Sequence, residues 1–179
     1  NIDLTYKSEQ GKYSNKHYVH NIYEPVRRSF TVKIKPYTID STLISKYLVV
    51  RLRQDGLIER SIGGRYDDGF IEATAGDFGI FTVYVDTISP TIKNLNFKNN
   101  KRLFKTQKSL KVRIKDNLSG IKSYNAYLND KWVLMEYDGK NSLLTYTIDE
   151  DLHQGKNTFR IVVKDNKNNI EERTYTVIR

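Results

Sequence analysis

The stretch LKVRIKDNLSGIKSYNAYLNDKWVLMEYDGKNSLLTYTI, residues 110–148, decides the fold through its alternation. Leu110, Val112 and Ile114 alternate with Lys111, Arg113 and Lys115, the period of a strand with one buried and one wet face. An Asp-Asn-x-Ser-Gly turn follows at 116–120, and WVLMEYDGKNSLLTYTI reads as a hairpin around Asp138-Gly139. Strand parity within WVLMEY assigns Val133, Met135 and Tyr137 to a core face, with Trp132, Leu134 and Glu136 on the opposite one.

Working outward, the second half parses into seven strands, at 92–97, 110–115, 121–128, 131–137, 142–148, 157–164 and 170–178. Short strands with turn signals every 8 to 12 residues predict an immunoglobulin- or fibronectin-like sandwich. RIKDNLSG and VVKDNKNN both close a strand with Asp-Asn, so Asp116 and Asp165 are expected at the same end. With Asn117, Ser119, Asn166 and Asn168 they make an oxygen-rich cluster. Calcium takes six to eight oxygens and favours several carboxylates, so Asp116 and Asp165 form only a weak calcium candidate. Asx turns, closing each strand on its own backbone, explain the same residues. No cofactor is expected.

The first half shows the same period. FTVKIK (30–35) and FTVYV (81–85) alternate, YLVVRLR and LIERSI flank the turn Gln54-Asp55-Gly56, and Asp68-Gly69 marks a second turn. In VDTISPTIKNL, Pro90 removes a backbone donor and extends Ser89, which sets a domain boundary. The expectation is all-β, two tandem immunoglobulin/fibronectin-like β-sandwich domains at 1–88 and 89–179.

Zero Cys excludes disulfides, thiolate metal sites and a Cys nucleophile. No apolar run reaches membrane-spanning length, and the N-terminal residues do not read as a signal peptide, so any targeting signal is expected outside this chain. The net charge of +9 lies almost entirely in the second half: residues 1–90 hold 12 Lys+Arg against 11 Asp+Glu, and residues 91–179 hold 18 against 10. From Lys98 to Lys115 eight cations follow one another with no acid between them. Lys105, Lys108, Lys111 and Arg113 are accordingly binding candidates for an anionic polymer, an acidic glycan ahead of nucleic acid, although such runs also serve simply as solvated faces. Trp132 and Tyr127, with Tyr137, offer an aromatic platform for a sugar or peptide, against packing within the sandwich.

Three stretches carry a family resemblance: GGRYDDGFIEATAGDFGIFTVYVDTISPTIKNLNF (63–97), KVRIKDNLSGIKSYNAYLNDKWVLMEYDGKNSLLTYTID (111–149) and GKNTFRIVVKDNKNN (155–169). Together they resemble the C-terminal accessory region of lysostaphin/LytM-type (peptidase family M23) peptidoglycan zinc endopeptidases of Bacteroidetes type. That family holds zinc through a His and an Asp followed by His-x-His. This chain has only His17, His20 and His153, with no His-x-His, and the i, i+3 spacing of His17 and His20 puts them on opposite faces of a strand. The pair reads as surface histidines. The resemblance therefore implies a non-catalytic segment, periplasmic or at the cell surface, that positions an upstream catalytic domain or contacts peptidoglycan or a partner. No paired carboxylates occur in a setting that predicts pKa tuning, and no Gly-x-Ser-x-Gly elbow or phosphate loop appears.

Overall fold

A computed structural model describes residues 5–179. The described residues are all-β apart from one short 3-10 helix, and the chain divides into two compact units, Asn1–Thr87 and Ile88–Arg179.

Unit 1 is a sandwich of two antiparallel sheets. Strands β1 (Tyr6–Glu9), β2 (Lys16–Val19), β4 (Tyr47–Leu52), β5 (Ile58–Gly63) and β8 (Gly79–Val85) pair in the order β1-β2-β8-β4-β5. The second sheet is β3 (Phe30–Ile34), β7 (Phe70–Ala75) and β6 (Arg65–Asp67), ordered β3-β7-β6. Val32 and Ile34 meet Ile71, Ala73 and Ala75, and these pack against Tyr47, Val49, Phe81 and Val83. The β6–β7 hairpin turns on Asp68 and Gly69, both at positive φ (42° and 83°), the conformation an Asp-Gly pair accepts at least strain. The helix, Ser41–Lys46, starts from Asp40, whose carboxylate accepts from Thr42 N.

Unit 2 has nine strands rather than seven: β9 (Thr91–Asn94), β10 (Lys101–Arg102), β11 (Ser109–Lys115), β12 (Ile121–Leu128), β13 (Lys131–Val133), β14 (Glu136–Asp138), β15 (Leu143–Thr147), β16 (Lys156–Asp165) and β17 (Ile170–Ile178). One sheet runs β14-β15-β11-β9 and the other β10-β17-β16-β12-β13. Leaving β10 aside, these are the D-E-B-A and G-F-C sheets of an immunoglobulin sandwich with an added C′ edge strand. Leu110, Val112 and Ile114 are fully buried against Phe159, Ile161 and Val163 of the opposite sheet. Each such side chain contributes about 1.5–3 kcal/mol by leaving water.

Two expectations need correction. The predicted strand 131–137 is two strands, β13 on β12 and β14 on β15, because the chain crosses from one sheet to the other at Leu134–Met135. Tyr137 is consequently not a core residue: it is 40% exposed, while Val133 and Met135 are both 4% exposed. A parity count holds only along one continuous strand, and the crossing resets it.

Candidate functional site

The basic segment occupies two parts of unit 2. On the open face of β11, Lys111, Arg113 and Lys115 are exposed, and Arg113 lies directly opposite Lys93 of β9. The remaining cations lie on the connection from β9 to β11. This connection is not a free loop, since Lys101 and Arg102 form β10, paired parallel to Val177 and Ile178 at the end of β17. Asn100 N donates to Thr176 O, Leu103 N to Ile178 O, and Thr176 N to Asn99 Oδ1. These bonds cover the Thr176–Ile178 end of that sheet edge, which would otherwise invite foreign strands, and they fix the loop's path.

Lys93, Lys98, Lys101, Arg102, Lys105, Lys108, Lys111, Arg113 and Lys115 are all exposed, and among the described residues none has a carboxylate within salt-bridge distance. Unit 1 contrasts with this. Its Lys33 bridges Asp67 and Glu72, Arg51 meets Glu59, and Arg60 meets Asp77 at 2.6 Å. The positive charge of unit 2 is thus left to act on solvent or a partner.

Phe104, which the run of charges obscured, is 80% exposed on the same connection. It borders a groove of about 490 Å³ whose wall also includes Lys98, Lys101, Arg102 and Leu95, with the nearly buried Phe97 beside them. No acidic residue lines this groove. The apolar pair Leu103-Phe104 within a cationic run was the available signal. Lys93 was readable from the alternation of Thr91, Lys93 and Leu95.

Trp132 and Tyr127 sit directly across β13 and β12 from each other. Trp132 is 53% exposed and its Nε1 donates to Asn125 Oδ1 at 3.1 Å. The Arg160 guanidinium lies 4.2 Å from the Tyr127 ring centre, so that ring face is already occupied by a cation. Tyr137 lies apart from this row, its ring 5.3 Å from that of Tyr124.

Asp116 and Asp165 emerge at one end of unit 2, with carboxylate oxygens within 4.8 Å of each other. Asp165 is fully buried: Oδ1 accepts from Lys167 N and Asn169 N, and Oδ2 from Asn169 Nδ2. Asp116 Oδ2 accepts from Leu118 N at 3.0 Å and Gly120 N at 2.7 Å. Gly120 has φ +84°, which lets the chain double back to bring its N–H onto that oxygen. Asn166 Nδ2 then ties the two loops through Ser119 O and Gly120 O. Both carboxylates therefore close turns, and the one oxygen left over is Asp116 Oδ1, buried and without a hydrogen bond.

His17 and His20 are half-buried and partnered, while His153 is exposed. His17 Nδ1 meets the Tyr6 hydroxyl at 2.6 Å, and partial burial lowers its pKa below the ordinary imidazole value. His20 packs edge-on against Phe78 and reaches Glu24 at 2.7 Å. No metal-capable group of three that includes a histidine occurs among the described residues.

Residues 1–86 match the family model of the Zu5-like domain, a span close to that of unit 1. No curated protein matches the chain. The solved fibronectin(III)-like modules of Clostridium thermocellum CbhA align with it at a TM-score of 0.40 and 9% identity, covering 83% of this chain and 84% of that one.

Proposed function

We propose that the chain is a non-catalytic β-sandwich segment of an exported surface or periplasmic protein, and that unit 2 holds an acidic polymer against its unpaired cations. The observation that carries this reading is the set of nine exposed cations with no salt-bridge partner among the described residues, in a molecule whose other unit pairs Lys7, Lys33, Arg51, Arg53, Arg60 and Arg65 with acids. A polyanion-binding face loses affinity with each acid placed against its cations, and the acids of this sheet, Glu136 and Asp138, stand on β14 with β15 between them and Lys111 and Arg113. The resemblance to accessory regions of peptidoglycan endopeptidases supports a companion role, in which the two sandwiches space or orient an attached catalytic domain near the wall.

The test is retention on immobilised polygalacturonate. Binding at low ionic strength should weaken linearly on a log–log plot as salt rises, and replacing Lys111 or Arg113 by Gln should each reduce the slope by about one. Retention that ignores salt, or no retention at low salt, overturns the proposal.

A further inference from the structure

The groove beside Phe104 combines features that a solvated strand face does not need. Its volume of about 490 Å³ falls within the ordinary range of ligand sites. Its rim carries three cations, Lys98, Lys101 and Arg102, and an aromatic ring that is 80% exposed. Its backbone is held in advance: β10 is paired to β17, Asn96 Nδ2 and Gln107 Nε2 both donate to Ser109 O, and Asn94 Nδ2 donates to Phe97 O. Those bonds shape the wall, and the cations and the ring are the groups on its rim that suit an anionic ligand. A preorganised wall spares the cost of ordering a loop on binding.

We infer that this groove is a subsite for the sugar acids of an acidic glycan, with the apolar C–H face of a pyranose on Phe104 and its carboxylate on Arg102 and its lysine neighbours. The inference rests on the acidic-polymer reading of unit 2 and names the seat of the ligand. Charge complementarity selects an anion, and a single ring beside a concavity suits one sugar ring. A bilayer surface is a poorer match, because stable interfacial anchoring takes a broader apolar face than one side chain supplies. Strand addition by an acidic peptide beside the groove is blocked at the Val177–Ile178 end of β17, which β10 already occupies.

The experiment is calorimetric titration of the full chain with a hexamer of galacturonic acid, with maltohexaose as the neutral control. Phe104 and Arg102 are exposed, so their replacement leaves the core intact. Binding of the acidic hexamer alone is expected, weakened about tenfold by Phe104→Ala with the salt slope unchanged, and weakened by Arg102→Gln with the slope reduced by about one. If both variants bind like the parent while Arg113→Gln weakens binding, the acidic-polymer reading stands and the groove is not its seat. Phe104-dependent binding to phosphatidylglycerol vesicles, without binding of the hexamer, also overturns the inference. A parent chain that binds neither the hexamer nor polygalacturonate removes both readings.

Discussion

Val133 and Tyr137, four residues apart, pair into opposite sheets of unit 2: Val133 with Ala126, and Tyr137 with Leu144. The intervening Leu134 is 67% exposed and Met135 only 4%, so the chain turns its apolar side inward once, at Met135, as it leaves one sheet for the other. That crossing seals one flank of the core and gives each sheet its edge strand.

Met135 should therefore be the sensitive position of this stretch. Met135→Ala is expected to cost about 2–4 kcal/mol through lost burial and the cavity left behind. Leu134→Ser and Tyr137→Ser should each stay within about 1 kcal/mol, in keeping with their exposure. Urea unfolding followed by the fluorescence of Trp132, the chain's only Trp, reads this out for unit 2. A costly Tyr137→Ser would restore the continuous strand.

The same contrast explains how much was legible beforehand. LKVRIK could be read residue by residue because β11 is continuous, with one face fully buried and the other wet. Alternation of strand direction, with the Asp-Asn turn closing both strands, put the ends of β11 and β16 at one end of the sandwich, where Asp116 and Asp165 meet. The sheet crossing was hidden because Leu134 and Met135 fit an alternating pattern on either reading. The path of residues 98–108 was hidden for another reason: β10 is two residues long and pairs with a strand about 75 residues later, a contact with no local periodicity. Without it, Leu103-Phe104 was a short apolar pair in a run of charge.

Asp165 and Asp116 should respond differently to loss of charge. Asp165→Ala strands two buried backbone N–H groups and is expected to cost about 3 kcal/mol or more. Asp116→Asn keeps an acceptor for Leu118 N and Gly120 N and replaces the unpaired Oδ1 with a donor near the Asp165 carboxylate. Its stability should equal the parent's or rise by about 0.5–1 kcal/mol, since a like-charge contact is removed. A fall of more than about 1 kcal/mol in urea unfolding would contradict the turn-closing account and show that the second carboxylate oxygen is needed.

Tyr146 gives a pH signature. The ring is buried and its hydroxyl donates to Asp149 Oδ1. Burial, and then that hydrogen bond, raise its pKa well above the ordinary phenol value of 10.0. The folded state thus holds its proton more tightly than the unfolded chain, so the stabilisation is fully present below pH 10 and is lost as pH rises towards the folded value. Between pH 10 and 11 the parent should lose about 1 kcal/mol more than Tyr146→Phe, because the unfolded phenol is already half-ionised at pH 10. Equal losses in urea unfolding at the two pH values would show that the hydroxyl does not titrate in this way. Tyr175, also raised by burial, acts in the same sense in both proteins and cancels from the comparison.

Arg113 and Lys93 pose the sharpest conflict between stability and binding. They are directly opposed across β11 and β9, both exposed, and like charges so placed repel. A face selected for stability alone would carry an acid at one of the two positions, as Lys33 and Glu72 are opposed across β3 and β7 at an ion-pair distance of 2.9 Å. Arg113→Glu should raise the unfolding free energy by about 0.3–1 kcal/mol at low ionic strength. The gain should shrink as salt screens the pair, at a Debye length of about 8 Å near 0.15 M. The same substitution should weaken retention on polygalacturonate by more than Arg113→Gln does, because it places a negative charge where the polymer lies. Greater stability with poorer retention would mark the repulsion as a cost of binding. Greater stability with unchanged retention would leave Arg113 and Lys93 as an unoptimised strand pair and confine the binding face to residues 98–108.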